Sequence, residues 1–171
     1  MLQGGHPDAG RFLIAEYYRP LTRFLWHASA CREDAEDLAA QTIGAAIKNS
    51  KRLRDPEQLR SWIFQIARRQ LLQHRRRRLF WPSKQEAAGL TEGDLDGLFA
   101  IQDALGKLSS SHREAFLLTE VEGFSHQEAG LILHVPAGTV KSRAHHAKNR
   151  LRSLLQSTYP EVIQHAVINA E

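Results

Sequence analysis

Cysteine, methionine and long apolar runs are scarce in this sequence of 171 residues. Its one cysteine, Cys31, excludes a disulfide framework and any multi-cysteine zinc site built by one chain, and it suits a reducing compartment. No apolar run approaches the roughly 18 residues that span a bilayer. The N-terminal segment also lacks the basic and apolar stretches of a secretory signal. We therefore expect a cytoplasmic protein.

Signals for strands and for catalysis are also missing. Neither sustained apolar–polar alternation nor an Asn-Gly hairpin turn occurs, and there is no glycine-rich phosphate loop. Glu120 and Glu122 flank a predicted helix end and resemble solvated surface, not a catalytic pair. His27 and Cys31 are four residues apart, but no second pair nearby supports a zinc site. We predict an all-α protein that is not an enzyme and holds no metal or cofactor.

Charge is abundant but segregated along the chain, although the net charge is only +4. The segment Arg68–Lys84 contains seven basic residues and no acidic ones, and Lys141–Arg152 contains five basic residues and no acidic ones. Between them, Gln85–Asp103 contains five acidic residues and no basic ones. A single basic run is usually a solvated face. Two such runs on amphipathic helices favour nucleic-acid binding.

Apolar spacing predicts three helices in the N-terminal half. The first runs from Asp8 to about Ala28, and Pro20 is expected to kink or divide it. Its apolar stripe comprises Phe12, Leu13, Leu21, Phe24, Leu25 and Ala28. The second, from Glu33 to about Asn49, has an acidic first turn that complements the helix dipole. The third starts at Asp55-Pro56 with Gln58 in a capping-box position, and stops before Pro82. Its apolar face comprises Leu59, Trp62, Ile63, Ile66 and Ala67.

The C-terminal half contains a helix from Leu95 to Leu108, a second helix capped by Ser109–Ser111 and ended by Gly123, and two helices around a tight connector. Ser125 and Glu128 form a capping box at the start of the third helix. The last helix, from about Thr139 to Leu155, has a buried stripe of Val140, Ala144, Ala147, Leu151 and Leu154. We predict domains at about 8–80 and 95–156, a linker at 81–94 and a tail at 157–171.

A short helix, a tight turn and a long basic helix are typical of the helix-turn-helix, whose second helix enters the major groove. Lys141 is placed to donate to guanine, and Ser142 can serve either base type. Lys148 and Arg152, further along the helix, are better placed for phosphates. The alternative is a helical hairpin with a charged outer face. The absence of acids over twelve residues weighs against that alternative.

Four segments together resemble extracytoplasmic-function sigma factors of bacterial RNA polymerase. HREAFLLTEVEGFSHQEAGLIL (112–133) and VPAGTVKSRAHHAKNRL (135–151) resemble region 4 of that family. DAEDLAAQTIGAAI (34–47) and DPEQLRSWIFQIARRQLLQHRRRR (55–78) resemble region 2. The resemblance covers about 8–155. GTVKSR alone occurs in other helix-turn-helix regulators, whereas both blocks in this order and spacing are highly specific.

The resemblance implies a subunit that binds core RNA polymerase through its β′ and β subunits and recognises the −35 and −10 promoter elements. By that resemblance, the core-polymerase contacts are Asp34, Glu36, Asp37, Gln41 and Thr42. The −10 contacts are the loop from Ser50 to Asp55 and Arg68, Arg69, His74, Arg75 and Arg76. The −35 contacts are Lys141, Ser142, Arg143, His145, His146, Lys148 and Arg152.

The family resemblance also implies an inhibitor, an anti-sigma factor that is often membrane-linked. This chain departs from the family pattern at Arg69, where Asn is common, and at His146, where Arg is frequent. Two other readings remain open at the level of sequence. One is a free-standing helix-turn-helix regulator with a sensing N-terminal domain, and the other is a protein-interaction adaptor with incidental basic faces. The acidic start of the second helix favours the polymerase subunit.

Overall fold

The computed structural model describes residues 7–29, 31–53, 55–80 and 95–158, and regular structure in these ranges is helical throughout, as predicted. The α-helices are α1 (Pro7–Ser29), α2 (Arg32–Lys48), α3 (Leu59–Phe80), α4 (Leu95–Gly106), α5 (Ser110–Phe116), α6 (His126–Leu133) and α7 (Ala137–Thr158). Short 3₁₀ turns at Ser50–Arg52 and Pro56–Gln58 precede α3, and a π-helical turn at Leu117–Val121 follows α5. The predicted linker, 81–94, and residues 159–171 of the predicted tail lie outside the described residues.

Helices α1, α2 and α3 pack together as an N-terminal unit. Their apolar stripes supply its core, because residues spaced three and four apart fall on one side of each helix. Leu21, Phe24 and Leu25 of α1 meet Phe64 and Leu71 of α3 in this core, all fully buried. The predicted apolar face of α3 is confirmed, with Trp62 half-buried against the core.

Two details expected for α1 are wrong. Of the kink or division expected at Pro20, the division does not occur, since the helix runs unbroken from Pro7 to Ser29. Leu13 and Leu21, on either side of the proline, are buried in the same core, so packing outweighs the lost backbone hydrogen bond. Phe12 is also not in the core, because its side chain is 49% exposed. Neighbouring residues on a helix point about 100° apart, so only Leu13 of this pair faces inward.

The start of α3 follows the predicted capping in part. The Asp55 carboxylate accepts a hydrogen bond from the Glu57 backbone N–H at 2.9 Å, which satisfies one otherwise free donor. The Gln58 side chain donates to the same carboxylate at 3.1 Å instead of reaching the backbone. The chain therefore enters α3 through a 3₁₀ turn, and the full capping box does not form.

Helices α4 to α7 form a C-terminal unit in which α7 packs against α4, α5 and α6. Ser109 caps α5 as predicted, and Gly123 adopts a positive φ of 70° after the π-helical turn. The predicted stripe of α7 faces the unit's core, with Val140 and Ala147 fully buried and Leu154 half-buried at the end. Burial of this stripe leaves the remaining faces of α7 for other contacts.

In the turn between α6 and α7, the backbone of the turn approaches the backbone of α6 closely. Gly130 lies where an added Cβ would be 2.8 Å from the Val135 carbonyl oxygen. The Val135 N–H also donates to the Gly130 carbonyl at 3.1 Å. His134 ends α6 in the left-handed conformation, with φ 53°, which reverses the chain within a few residues. This turn sets the angle at which α7 leaves α6.

The two units pack against each other. Helix α3 contacts α6, and α1 contacts α5 and the π-helical turn. At the centre, the Phe64 ring lies 4.9 Å from the Phe124 ring, with an edge-to-face angle of 71°, and 5.5 Å from the Phe24 ring. Phe64 therefore joins the N-terminal core to the C-terminal unit.

The capping box at α6 is confirmed, and it predicts an acid-sensitive contribution to stability. The Ser125 hydroxyl accepts from the Glu128 N–H at 3.2 Å, while the Glu128 carboxylate accepts from the Ser125 N–H at 2.8 Å and from its hydroxyl. These hydrogen bonds lower the pKa of Glu128. A lowered folded-state pKa gives stability that is present above the unfolded pKa and lost as pH falls through the folded one.

We expect Ser125→Ala to lower the free energy of unfolding by about 1 kcal/mol at neutral pH, because an N-cap is lost. The deficit relative to wild type should shrink at a pH below the lowered pKa of Glu128, where this carboxyl is protonated in both proteins. Denaturant titrations at the two pH values measure this. Ser153→Ala, at an exposed site within α7, is the control and should change little. An equal deficit at both pH values would contradict the role of Glu128.

Candidate nucleic-acid interface

The outer face of α7 presents most of the residues predicted to read duplex DNA. Arg143 is half-buried. The other six are exposed: Lys141, Ser142, His145, His146, Lys148 and Arg152. Lys148 Nζ donates to Glu120 Oε2 at 3.0 Å, and His145 Nε2 lies 3.0 Å from Asn149 Nδ2. Arg150, which is also exposed, was missed. Its spacing of four from His146 and seven from Arg143 is the signal that places it on their side of the helix.

The basic residues predicted on α3 divide into two groups. Arg69 and Arg76 are exposed. They border a groove between α3 and the α6–α7 turn, which the half-buried Trp62 and the exposed His134 also line. An aromatic ring beside guanidinium groups is a combination that can stack a base and hold its phosphate.

Arg68 and Arg75 instead face the C-terminal unit. Both donate to the carboxylate of Glu114 on α5, Arg68 through Nε at 3.0 Å and Arg75 through Nη1. Arg75 also donates to the Ala28 carbonyl at 2.9 Å. The structure therefore brings Arg68 and Arg75 together, but it does not leave them free as part of an exposed basic track.

The Glu114 carboxylate is only 3% exposed and has a third cation beside it. Arg113 donates to Ala28 O at 3.1 Å across the interface and to Gly106 O at 3.0 Å within its own unit. Burial is the main reason that the pKa of Arg113 is lowered, and repulsion from Arg75 adds to it, while Glu114 opposes the shift. Glu114 is thus the buried negative charge that stabilises this group of partly buried arginines.

Glu122 holds the same interface at a second point. Its carboxylate accepts two hydrogen bonds from Arg23, at 2.8 and 2.9 Å, and this pairing raises the pKa of Arg23. Its backbone carbonyl accepts from Arg60, whose guanidinium lies 4.1 Å from the centre of the Phe124 ring. The prediction that Glu122 is solvated surface is therefore wrong, because its side chain is 1% exposed.

The sequence contains a pattern that indicates burial of Glu114, although this residue was not predicted. Glu114 lies three and four residues before Leu117 and Leu118, both fully buried, so it belongs to the apolar stripe of its helix. A carboxylate at such a position needs a buried cation. No local pattern names that cation, since its partners are 39 and 46 residues away in sequence.

The acidic surface predicted on α2 is present with one correction. Glu36, Asp37 and Gln41 are exposed, and Asp34 is half-buried with its Oδ2 3.1 Å from His74 Nε2 of α3. Thr42 is fully buried, and its hydroxyl donates to the Leu38 carbonyl at 2.7 Å. Thr42 faces the core because it lies four residues after the buried Leu38. It is therefore removed from the set of predicted surface contacts.

Metal and membrane sites are not seen within the ranges that the structure describes. His27 Nδ1 lies 2.8 Å from Gln102 Oε1, so this histidine is engaged with the C-terminal unit. No group of three or more potential ligand side chains in the described ranges is arranged to hold a metal ion. None of the helices described there combines the length and apolarity that crossing a membrane requires.

Family comparisons match both units. Residues 13–79 match sigma-70 region 2, and residues 98–151 match sigma-70 region 4. The sequence is 30% identical to the RNA polymerase sigma factor CarQ of Myxococcus xanthus, over 92% of this chain and 95% of that protein. It is 29% identical to the ECF RNA polymerase sigma factor SigL of Mycobacterium tuberculosis, over 85% of this chain and 88% of that protein.

Solved structures agree with this assignment. The sigma factor RpoE of Bartonella quintana, in complex with the anti-sigma factor NepR, superposes with a TM-score of 0.76 at 29% identity, over 90% of this chain and 99% of that one. CnrH, in complex with the cytosolic domain of CnrY, shares the fold with a TM-score of 0.71 at 24% identity, over 92% of this chain and 93% of that one. Both regions are matched in order, and the regular structure of the described residues is helical. The protein therefore belongs to the extracytoplasmic-function sigma factors, which bind core RNA polymerase and direct it to promoter DNA.

Proposed function

We propose that this sigma factor divides its work among three separate surfaces. The polymerase surface is the exposed side of α2, the strand-binding surface is the outer side of α3, and the duplex-binding surface is the outer side of α7. The observation that carries this proposal is their charge: Glu36 and Asp37 on α2 are exposed and acidic, whereas the exposed sides of α3 and α7 are basic. The domains are taken as 8–80, for polymerase and the −10 element, and 95–156, for the −35 element.

Core polymerase binds the polymerase surface through Asp34, Glu36, Asp37 and Gln41. Exposed carboxylates increase the rate of encounter with a basic partner and set its orientation. Asp34 contacts His74 of α3, so the polymerase surface is in direct contact with the helix that binds DNA. A partner bound on α2 can thereby influence the position of α3.

The strand-binding surface holds the non-template strand at the −10 element. Arg69 and Arg76 supply exposed guanidinium groups for phosphates, and Trp62 offers a half-buried ring in the same groove. The loop before α3 adds the exposed cations Lys51 and Arg52. Arg69 stands where Asn is common in the family, which favours a phosphate contact over recognition of a base edge at this position.

The duplex-binding surface reads the −35 element in the major groove. Lys141 and Ser142 lie in the first turns of α7 and reach base edges, while Lys148 and Arg152 lie further along and contact phosphates. His146 replaces a frequent Arg, and its shorter side chain reaches a nearer part of the groove. Sequence information is therefore concentrated at the N-terminal end of the helix.

An anti-sigma factor controls the protein by covering these surfaces. This proposal is supported by the two structural relatives, which were solved with NepR and with the cytosolic domain of CnrY. Promoters and polymerase are found in the bacterial cytoplasm, so the sigma factor acts there as a non-catalytic subunit. A membrane-linked inhibitor would connect its release to a signal from outside the cell.

We expect Asp37→Lys to lower run-off transcription by roughly tenfold at limiting sigma factor, because a charge reversal at the centre of an interface costs one or more kcal/mol. The assay uses purified bacterial core polymerase and promoter DNA selected from the host genome by the wild-type holoenzyme. The control is Glu16→Lys, the same charge reversal at an exposed site on α1. We expect the control to bind core polymerase as wild type does.

Equal transcription by the two variants would contradict the assignment of the polymerase surface. A wild-type protein that bound a palindromic duplex tightly as a dimer, and started no transcripts with any core polymerase, would contradict the proposal as a whole. The salt concentration is held constant across all arms, because every surface in the proposal is charged.

A further inference from the structure

The arginines that face the C-terminal unit form an anion-binding site already occupied by the chain itself. Arg68 and Arg75, about two turns apart on α3, converge on Glu114, so two guanidinium groups bind one carboxylate. The Ala28 carbonyl accepts hydrogen bonds from Arg75 and from Arg113, and it holds these two side chains in place. A guanidinium fork suits a phosphate as well as it suits a carboxylate.

The same helix carries the strand-binding surface. Arg68 is next to Arg69, and Arg75 is next to Arg76, so each engaged arginine has an exposed basic neighbour. Arg68, Arg69 and Arg76 also line one groove with Trp62. A strand held by Arg69 and Arg76 would therefore pass beside the site that Glu114 fills. In this arrangement of the two units, the Glu114 carboxylate stands where a backbone phosphate has its best local partners.

The two units contribute opposite charges to the interface. The C-terminal unit provides the buried carboxylates of Glu114 and Glu122, and the N-terminal unit provides Arg23, Arg68 and Arg75. Loss of one carboxylate leaves partly buried arginines without their partner, which favours exposure of those arginines to water. A DNA phosphate can take the place of the Glu114 carboxylate. Its binding to the arginines would release this contact between the units.

The other two surfaces remain open in this arrangement. Glu36 and Asp37 are exposed on α2, and Lys141 and Lys148 are exposed on α7. Polymerase and duplex DNA can therefore approach while Arg68 and Arg75 are still engaged. Within the strand-binding function, only the phosphate contact of Arg68 and Arg75 requires the two units to separate.

We propose that Glu114 is an internal substitute for a DNA phosphate: it closes the two units by occupying the Arg68–Arg75 site, which binds a backbone phosphate of single-stranded promoter DNA once the units open. This inference rests on the proposed strand-binding function of α3. Its consequence is that the free sigma factor binds single strands weakly. Its affinity rises when a partner or a substitution separates the units.

The test compares wild type with Glu114→Gln in the full chain. The probe is a fluorescent oligothymidylate, because phosphate contacts do not depend on base sequence. We expect Glu114→Gln to bind it roughly tenfold more tightly at low salt, a factor within the usual range for coupled equilibria. The slope of log affinity against log salt should steepen by about 0.7 for each additional phosphate that the variant neutralises. The radius of gyration, from small-angle X-ray scattering, should increase.

Three further variants make the outcome decisive. Glu122→Gln loosens the same interface without altering the Arg68–Arg75 site, and it should also raise affinity, so the test survives if Glu114→Gln fails to fold. Arg75→Ala added to Glu114→Gln should remove most of the gain. Glu16→Gln is the control for loss of one negative charge, and it should bind the probe only marginally more tightly than wild type.

The inference is overturned if both glutamate variants fold and bind the oligonucleotide no more tightly than Glu16→Gln. It is also overturned if Arg75→Ala leaves the gain of Glu114→Gln intact, since the phosphate would then lie elsewhere. Failure of the underlying function looks different. In that case holoenzyme that carries Arg69→Ala and Arg76→Ala would start transcripts as well as wild-type holoenzyme does, whatever the effect of Glu114→Gln.

Discussion

Phe64→Ala is expected to lower the free energy of unfolding by about 4 kcal/mol, the largest effect of any single substitution considered for this sigma factor. The Phe64 side chain is fully buried. Its ring lies 5.5 Å from that of Phe24 in the N-terminal core and 4.9 Å from that of Phe124 in the C-terminal unit. Truncation therefore removes a large apolar surface and two aromatic pairs, and leaves a cavity between the units.

Denaturant titration followed by circular dichroism measures this loss, and the two units should respond differently. The N-terminal unit should unfold at a lower denaturant concentration, while the C-terminal unit retains most of its own core. Phe12→Ala is the matched control, since the same side chain is 49% exposed there. It should cost less than about 1 kcal/mol. Equal losses from the two substitutions would show that Phe64 does not anchor the core as described.

Gly130→Ala is expected to destabilise the C-terminal unit by about 2 to 3 kcal/mol, against the direction of helix propensity. An alanine inside a helix is normally favoured over glycine by roughly 1 kcal/mol. Here the added Cβ would lie 2.8 Å from the Val135 carbonyl oxygen and 3.4 Å from the Ala137 nitrogen. Both are backbone atoms of the turn, so no side-chain rotation relieves the overlap, and the cost is that of overpacking.

The control for this prediction is Gly138→Ala in the first turn of α7. A Cβ at that position would meet no atom within 4 Å, so the substitution should be neutral or slightly stabilising. The midpoint of thermal unfolding separates the two variants. A rise in stability for both would mean that α6 and the turn can move apart freely. That result would remove the reason given for the fixed angle between α6 and α7.

Most of the helices could be predicted because their signals are local. The capping box of Ser125 and Glu128, the cap at Ser109 and the buried stripe of α7 involve residues within a few turns of one another. Such interactions hold wherever the helix lies in the fold. The same reasoning identified the basic outer face of α7, since charged side chains left over from a buried stripe remain in contact with water.

Two placements on the surface are wrong, for different reasons. Thr42 was placed on the polymerase surface, although its spacing of four from the buried Leu38 puts it on the core side of α2. Glu122 was placed on a solvated surface, and the pairing of Arg68 and Arg75 with Glu114 was not predicted, because these partners come from other helices. Arg23 and Glu122 are separated by 99 positions, for example, yet their side chains form two hydrogen bonds. Residue type and helical spacing carry no information on such pairs.

The amino-acid sequence alone determined that this sigma factor is helical, that it has two amphipathic halves, and where its acidic and basic residues lie along the chain. These follow from periodicity, capping and charge, which act between residues close in sequence. Only the tertiary structure decided that Glu114 and Glu122 cross to the arginines of the N-terminal unit. Burial pairs opposite charges from distant segments, since an unpaired charge in a dry interface is too costly to persist.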